Sequence, residues 1–397
     1  MKSPSRSLLA LSGTALALPG IAAADAPPTQ STLSYKFSNY QEDELSRQQV
    51  PFGSLERYDI DVHQFQLITP LGRDYSLTID GNHENMSGAS PWFTSPGLDG
   101  QPIINMSGAS GITDERSELA ISGRYYLANG SIGGGIGYST ENDYRARYIT
   151  LGGQHSFNSA MTTVAVGLSH SDDEIFPSDA ELFNRVRNEN KRSTSALLSI
   201  SQVVNQFSTF QLALNLTEHS GFLSDPYKLR DVRPDSKTQI AVNGAWRYFF
   251  DGADAALHSD YRYYHDDFGI SSHTLSLAWY QNLPNNWQLV PSVRYYSQSA
   301  ADFYRNTDDF LKPLTQYQSS DYRLSAYGAI SGGLTMLARF SNWTVSLTAM
   351  HLLMCSKPEP PWGNTPDFPW AWNSAFRRTK HDPYHQTLWL SGHGSTL

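Results

Sequence analysis

The chain is poor in cysteine, in charged residues and in long apolar runs, and each shortage removes a class of protein. One cysteine in 397 residues excludes an internal disulfide framework. Charged residues make up 17%, below the usual quarter, and the net charge of -9 argues against a nucleic-acid binder. Beyond the first 24 residues no stretch approaches eighteen uninterrupted apolar residues. We therefore expect no transmembrane helix in the mature protein.

The first residues have the pattern of a signal peptide. Lys2 and Arg6 precede an apolar run, and three alanines end at Ala24. A basic start, an apolar centre and small residues at the cleavage site are typical of secretory signals. We predict a signal peptide over residues 1–24, cut near Ala24. The alternative, a membrane anchor, fits less well because glycine and proline interrupt the short run.

Apolar and polar residues alternate along most of the remaining chain. Tyr75, Leu77 and Ile79, for example, alternate with small polar residues. This period of two predicts strands with one apolar and one polar face, and helical spacing is nowhere sustained. Fifteen strands are predicted, near 31–40, 57–68, 74–84, 116–127, 131–139, 146–155, 161–170, 193–203, 209–218, 238–249, 255–263, 273–282, 287–298, 323–339 and 343–349.

The connections between these strands alternate between short and long. The short ones are 69–74, 127–131, 155–161, 204–208, 250–254, 283–286 and 340–342. The long, polar ones are 41–56, 85–115, 139–146, 171–192, 219–237 and 299–322, with a shorter one at 264–272. A soluble sandwich has no reason to alternate in this way, whereas a membrane barrel has short periplasmic turns and longer outer loops. The strands also have roughly the 9–11 residues that a tilted crossing needs.

The predicted fold is all-β: an antiparallel transmembrane β-barrel over residues 25–349, with about sixteen strands of which fifteen are visible. Bacterial barrels normally have an even count, so a sixteenth strand must return to the first. The tail 350–397 is not expected to supply it, because alternation stops there and prolines accumulate. We interpret the tail as out of frame, through a sequencing error or a real frameshift. The alternative is an unusual but genuine extension.

Several short motifs together resemble one family, although no single motif is specific. They are MSGASPWF (86–93), MSGASGITDER (106–116), SDPYK (224–228) with Arg233-Pro234, SHTLSLAWYQ (272–281) and RYYSQSAADFY (294–304). The chain resembles domain-of-unknown-function family 3570 over roughly residues 30–349. The resemblance implies an outer-membrane β-barrel of a Gram-negative bacterium without an established activity. It also implies a neighbourhood of genes for periplasmic flavin attachment and redox proteins, which assigns no chemistry to any residue.

A doubled motif is the first candidate site, an outer-loop feature that contacts a ligand or folds into the mouth. Its residues are Met86, Ser87, Gly88, Ala89 and Ser90, and again Met106, Ser107, Gly108, Ala109 and Ser110. Both copies fall inside one connection, so their offset is not a structural repeat. The alternative is that serine and glycine serve turn geometry in a long loop.

Other clusters are weaker candidates. His265, Asp266 and Asp267 lie at a strand end, where a histidine with carboxylates could activate water, although polar residues gather at a barrel rim by default. Carboxylates at 172–174 and 308–309 lack the spacing of a dedicated calcium loop, and we interpret them as solvated loops. We expect no enzyme activity, no cofactor and no metal site.

Three functional hypotheses follow for a barrel of this size. The first is passage or surface binding of a small solute. The second is a non-conducting scaffold for a periplasmic or surface partner, a redox protein among them, and the third is a hydrolase at the outer rim. The expected partners are outer-membrane lipids, lipopolysaccharide, the barrel-assembly machinery and a periplasmic protein, with no nucleic acid. The expected location is the outer membrane of a Gram-negative bacterium.

Overall fold

A computed structural model describes residues 26–45, 47, 50–51, 53–55, 57–88, 91–98, 102–106, 112–178, 180–356 and 386–394. The predicted signal peptide lies outside these residues. Among the residues described, no helix has the length and apolar character needed to cross a bilayer.

Strands make up nearly all of the regular structure in the described part of the chain. They are β1 (Thr32–Gln41), β2 (Asp59–Pro70), β3 (Tyr75–Gly88), β4 (Pro91–Pro96), β5 (Pro102–Met106), β6 (Ile112–Leu127), β7 (Gly130–Thr140), β8 (Tyr144–Phe157), β9 (Thr162–Ile175), β10 (Glu189–Asn205), β11 (Ser208–Gly221), β12 (Asp231–Val232), β13 (Ser236–Phe250), β14 (Ala255–Asp266), β15 (Ser271–Leu283), β16 (Trp287–Gln298), β17 (Gln318–Ser319), β18 (Tyr327–Arg339), β19 (Thr344–Ser356) and β20 (Gln386–Gly394). Short 3-10 turns lie at Asp251–Ala253, Pro284–Asn286 and Tyr322–Leu324.

Sixteen of these strands form one antiparallel sheet whose strand order is that of a closed barrel. The order is β1, β2, β3, β6, β7, β8, β9, β10, β11, β13, β14, β15, β16, β18, β19 and β20. The remaining strands form two small sheets, β4 with β5 and β12 with β17, in connections between barrel strands. The predicted all-β antiparallel barrel of about sixteen strands is confirmed.

The sixteenth strand comes from the tail, so the expectation that the tail supplies none was wrong. Strand β20 pairs with β19 on one side and with β1 on the other. Strand β19 also runs past the predicted end at residue 349 to Ser356. The prolines of the tail do not exclude a strand, because they all lie between β19 and β20, and the segment 386–394 contains none. The hypothesis of a shifted reading frame stays a prediction.

The strands of the wall are apolar outside and polar inside. On β10 the outward Leu198 and Ile200 are 52% and 44% exposed, whereas the inward Ser199 and Ser201 are nearly fully buried. The same alternation recurs around the sheet, with aliphatic and aromatic side chains outside. An outer face of this kind is suited to lipid, because the closed ladder leaves few backbone groups unpaired.

The lengths of the connections differ between the two ends of the barrel, but not as regularly as the sequence predicts. One end has only short turns, and we call it the turn end; the other, which we call the loop end, has most of the long connections. The predicted long connection 139–146 is a three-residue turn, Glu141–Asp143, and the acidic residues 172–174 lie on β9 and not in a loop. Polar residues do not end these strands, because above the apolar band both faces of the sheet have polar surroundings.

Candidate functional site

The inward faces of β3 and β6 form an acidic wall of the lumen. Asp80 and Glu84 point inward from β3, and Glu118 points inward from β6. The guanidinium of Arg116 binds Glu84 at 3.3 Å and Glu118 at 2.5 Å. One Asp80 oxygen accepts a hydrogen bond of 2.8 Å from Gln66. The same faces also carry Asp114 and Arg124, and four carboxylates with two arginines leave this wall with a net negative charge.

The inward faces of β13, β14 and β16 have a net positive charge, because Lys237 and Arg247 pair with Asp266 and Asp260 and two further arginines remain. Arg262 and Arg294 alternate with the outward Tyr261 and Tyr295, which are 46% and 45% exposed. Both arginines are themselves exposed although they point inward, so the lumen at their level contains solvent-accessible space. Among the residues that the structure describes, neither forms an ion pair, in contrast to Arg247 on β13, which binds Asp260 at 2.7 Å.

The acidic and basic walls lie on opposite sides of the barrel. In the strand order, β14 is eight places from β3, half of the way around sixteen strands. The arginines and the carboxylates therefore face each other across the lumen. Charges of opposite sign on low-dielectric walls produce a field across the space between them, which attracts and orients charged solutes.

Connections from different sides of the barrel meet over the loop end, and we call them the cap: the described residues within 42–58, 91–106, 222–235 and 299–326. Two hydrogen bonds in the cap join connections that lie six strands apart in the barrel order. Six strands correspond to roughly 29 Å along the wall, at about 4.8 Å per strand. The amide of Leu229 nevertheless donates to the carbonyl of Trp92 at 3.1 Å. Thr94 donates its amide to Asp308 at 3.0 Å. Loops that leave the barrel so far apart can meet only by reaching across the mouth.

A buried ion network joins two parts of the cap. Asp321, which is 1% exposed, binds Arg233 at 2.9 Å and Arg323 at 2.6 Å. Arg323 also binds Asp225 at 3.3 Å, and β12 pairs with β17 beside these residues. Burial alone raises the pKa of Asp321, but Arg323, Lys228 and Arg233 outweigh it and hold this pKa well below its usual value of 3.8.

Apolar contacts support the cap from below. The turn after β14 contributes Phe268 and Ile270 to a buried cluster with Phe303 and Leu324 of the cap. A second cluster joins Val50 to Met106. Each fully buried side chain of this size contributes roughly 1.5–3 kcal/mol, so the cap has a folded core of its own.

One family of known proteins matches nearly the whole chain. Residues 8–350 match the model of a family described as "Protein of unknown function (DUF3570)". The chain belongs to this family. The match ends where the atypical tail begins. No functionally curated protein matches the chain.

Solved structures similar to this DUF3570 protein are outer-membrane barrels. A bacterial polysaccharide outer membrane secretin matches with a TM-score of 0.50 and 8% identity over 93% of this chain and 98% of its own. CdiB from Acinetobacter baumannii matches with a TM-score of 0.52 and 7% identity over 92% of this chain, which spans 60% of CdiB. The siderophore receptor PirA from Pseudomonas aeruginosa matches with a TM-score of 0.44 and 11% identity, over 84% of this chain and 61% of PirA. At these identities the first two show the fold alone.

The doubled motif of the DUF3570 protein lies only partly within the described residues. Met86, Ser87 and Gly88 end β3, and Met106 ends β5 and packs on Val50. Gly88 has a φ of +123°, and a Cβ there would lie 2.2 Å from the carbonyl oxygen of Arg57. The residues that lie outside the described part are Ala89, Ser90, Ser107, Gly108, Ala109 and Ser110. The visible part thus serves packing and a tight backbone approach.

The rim candidates hold the turn between β14 and β15. Asp266 is 1% exposed, binds Lys237 at 2.8 Å and accepts hydrogen bonds from the amides of the turn. His265 points outward and contacts Ser271 at 2.9 Å, and Asp267 accepts from the amide of Thr238. The three side chains have separate partners, so the structure does not bring them together as one site.

Sequence reasoning missed a buried acidic cluster at the loop end. Asp114, Glu141 and Asp143 each offer a carboxylate oxygen, and the three oxygens lie within 4.8 Å of one another. Burial raises the pKa of Glu141 to about 8; Asp114, Asp143 and Glu84 add to the rise and Arg116 opposes it. The register of β6 and β7 could have indicated it. Leu127 pairs with Gly130, and extending this antiparallel register along both strands places Asp114 beside the turn Glu141–Asp143.

Proposed function

We propose that the protein admits a small solute carrying an anionic group into its lumen, in the outer membrane of a Gram-negative bacterium, with the cap limiting access at the cell surface. The observation that carries the proposal is the pair Arg262 and Arg294, inward, exposed and without an ion-pair partner among the described residues. An arginine kept free of carboxylates in a lumen favours anions. The loop end would face outward and the turn end the periplasm, as in other membrane barrels.

Replacing both arginines should change ion selectivity. In Arg262→Gln/Arg294→Gln, the lumen loses two positive charges opposite the acidic wall. The reversal potential in planar bilayers under a KCl gradient should therefore shift toward cation selectivity. The matched control is Arg147→Gln/Arg192→Gln, which removes two outward arginines that are 69% and 67% exposed. The control should keep the wild-type potential.

Two results would contradict the proposal. A lumen variant with the selectivity of the wild type would show that the arginines do not face the permeation path. A wild-type barrel that is folded, shown by heat-modifiable migration on gels, but passes no ions would favour the second candidate, a scaffold that holds a periplasmic partner. The assembly of the barrel by the barrel-assembly machinery and its contact with lipopolysaccharide belong to the same proposal.

We also infer that the rim residues serve structure and that the protein is not a hydrolase. The support is that His265 and Asp266 have different partners and point to different faces of the strand. His265→Ala should leave any phospholipid or peptide hydrolysis by the purified barrel unchanged. A hydrolytic activity that the wild type shows and this variant lacks would overturn the inference.

A further inference from the structure

The acidic cluster at the start of β6 and in the turn after β7 holds three carboxylates in a buried place. Asp114, Glu141 and Asp143 are 5%, 7% and 2% exposed. Burying several carboxylates together is costly unless positive charge or hydrogen bonds compensate them. The surrounding side chains should therefore provide that compensation.

Glu141 shows that the compensation is incomplete. Its side chain is 1% exposed, and neither carboxylate oxygen accepts a hydrogen bond from the described residues. The nearest cationic atom, Nε of Arg116, lies 3.9 Å away. Arg116 is held closer to the carboxylates of Glu84 and Glu118. A buried carboxylate with unused lone pairs therefore points at two other carboxylates.

The spacing of the oxygens fits one cation. Calcium binds oxygen at about 2.3–2.6 Å, so two oxygens on one ion lie at most about 4.6–5.2 Å apart. The three oxygens lie within 4.8 Å of one another, close enough for one calcium ion to contact all of them. Magnesium usually keeps several waters and binds one or two carboxylates in a strict octahedron, whereas calcium accepts several carboxylates in a flexible geometry. Three carboxylates that converge in a buried place therefore suit calcium better than magnesium.

We propose that Asp114, Glu141 and Asp143 form a calcium site that fastens the cap to the barrel rim. The link to the cap is Tyr227, whose hydroxyl donates to Asp143 and accepts from the amide of Ser178 at 2.9 Å. Tyr227 is 4% exposed and lies in the cap segment 222–235. An ion on Asp143 fixes the acceptor of this bond and, through it, the position of the segment.

Calcium titration of the refolded full chain tests the site. The protein is refolded in detergent free of lipopolysaccharide, stripped with EGTA and titrated with CaCl₂ by calorimetry. One ion per chain should bind, and Glu141→Gln should weaken binding by about tenfold or more, because ligand charge sets affinity. The matched control is Glu115→Gln, on the exposed outward face of the same strand as Asp114, which should bind as the wild type does. MgCl₂ should compete weakly.

A second measurement covers a variant that fails to fold. In the wild type, calcium should slow hydrogen exchange of segment 222–235 relative to EGTA, whereas the exchange rates of the barrel strands should stay the same. A folded wild type that takes up no stoichiometric calcium overturns the site, as does a Glu141→Gln barrel with wild-type affinity. Binding without a change in exchange at 222–235 overturns the fastening of the cap. All of these results are independent of ion conduction, so they separate this inference from the proposed function.

Discussion

Asp321→Asn should open the cap while the barrel stays folded. The substitution leaves Arg233 and Arg323 buried without their shared carboxylate. Removing one partner of a buried pair costs roughly 3–5 kcal/mol, because the remaining charges stay uncompensated. The cap forms a local unit above the wall, so the cost should appear as local opening. Hydrogen exchange of residues 225–233 and 318–324 should accelerate by about two to four orders of magnitude.

The pH dependence of the same contact has a defined sign. Because the pKa of Asp321 in the folded cap lies below 3.8, its stabilisation is fully present above that pH and is lost as the pH falls through the folded-state value. In strongly acidic buffer the hydrogen-exchange rate of the wild-type cap, corrected for the intrinsic effect of pH, should therefore approach the rate of Asp321→Asn. The control is Glu181→Gln, which removes the ion pair of Glu181 with Arg187, whose side chains are 82% and 77% exposed. This variant should change the exchange rate of the cap little, because exposed ion pairs contribute little. Equal protection of the cap in Asp321→Asn and the wild type at pH 7 would refute the network's role.

The wall of the barrel could be predicted from the sequence because one physical pattern repeats along it. Each crossing strand must be apolar toward lipid and is polar toward the lumen, so residues such as Leu198 and Ser199 alternate. Strand ends could not be predicted as well. Above the apolar band the constraint from lipid disappears, and β9 continues through Asp172 and Asp173. In the tail, prolines obscured a short strand.

The cap and the acidic cluster could not be predicted, because their contacts join distant parts of the sequence. No local sequence motif predicts these pairs. Thr94 contacts Asp308 across the mouth, and Tyr227 contacts Asp143 at the rim, in each case between residues far apart in the sequence. Only the placement of Asp114 beside the turn followed from local register. The doubled motif was conspicuous in the sequence, yet its visible residues serve packing.

Deleting the hairpin Pro91–Met106 and joining β3 to β6 by a short Gly-Ser linker should raise the conductance of the barrel several-fold. The hairpin reaches across the mouth and contacts two other cap segments, through Leu229 and Asp308. A sixteen-strand barrel without such cover leaves an aqueous channel. Conductance in planar bilayers measures the change. The anion preference should remain, because Arg262 and Arg294 lie in the wall below.

The control keeps the hairpin and alters only its tip. Leu98 is fully exposed, so Leu98→Ser removes an apolar tip without touching the contacts across the mouth, and its conductance should equal that of the wild type. Heat-modifiable migration must show that the deletion variant is folded. A folded deletion variant that conducts no better than the wild type would mean that the hairpin does not limit the path. The restriction would then lie within the lumen itself, between the acidic wall and the arginines.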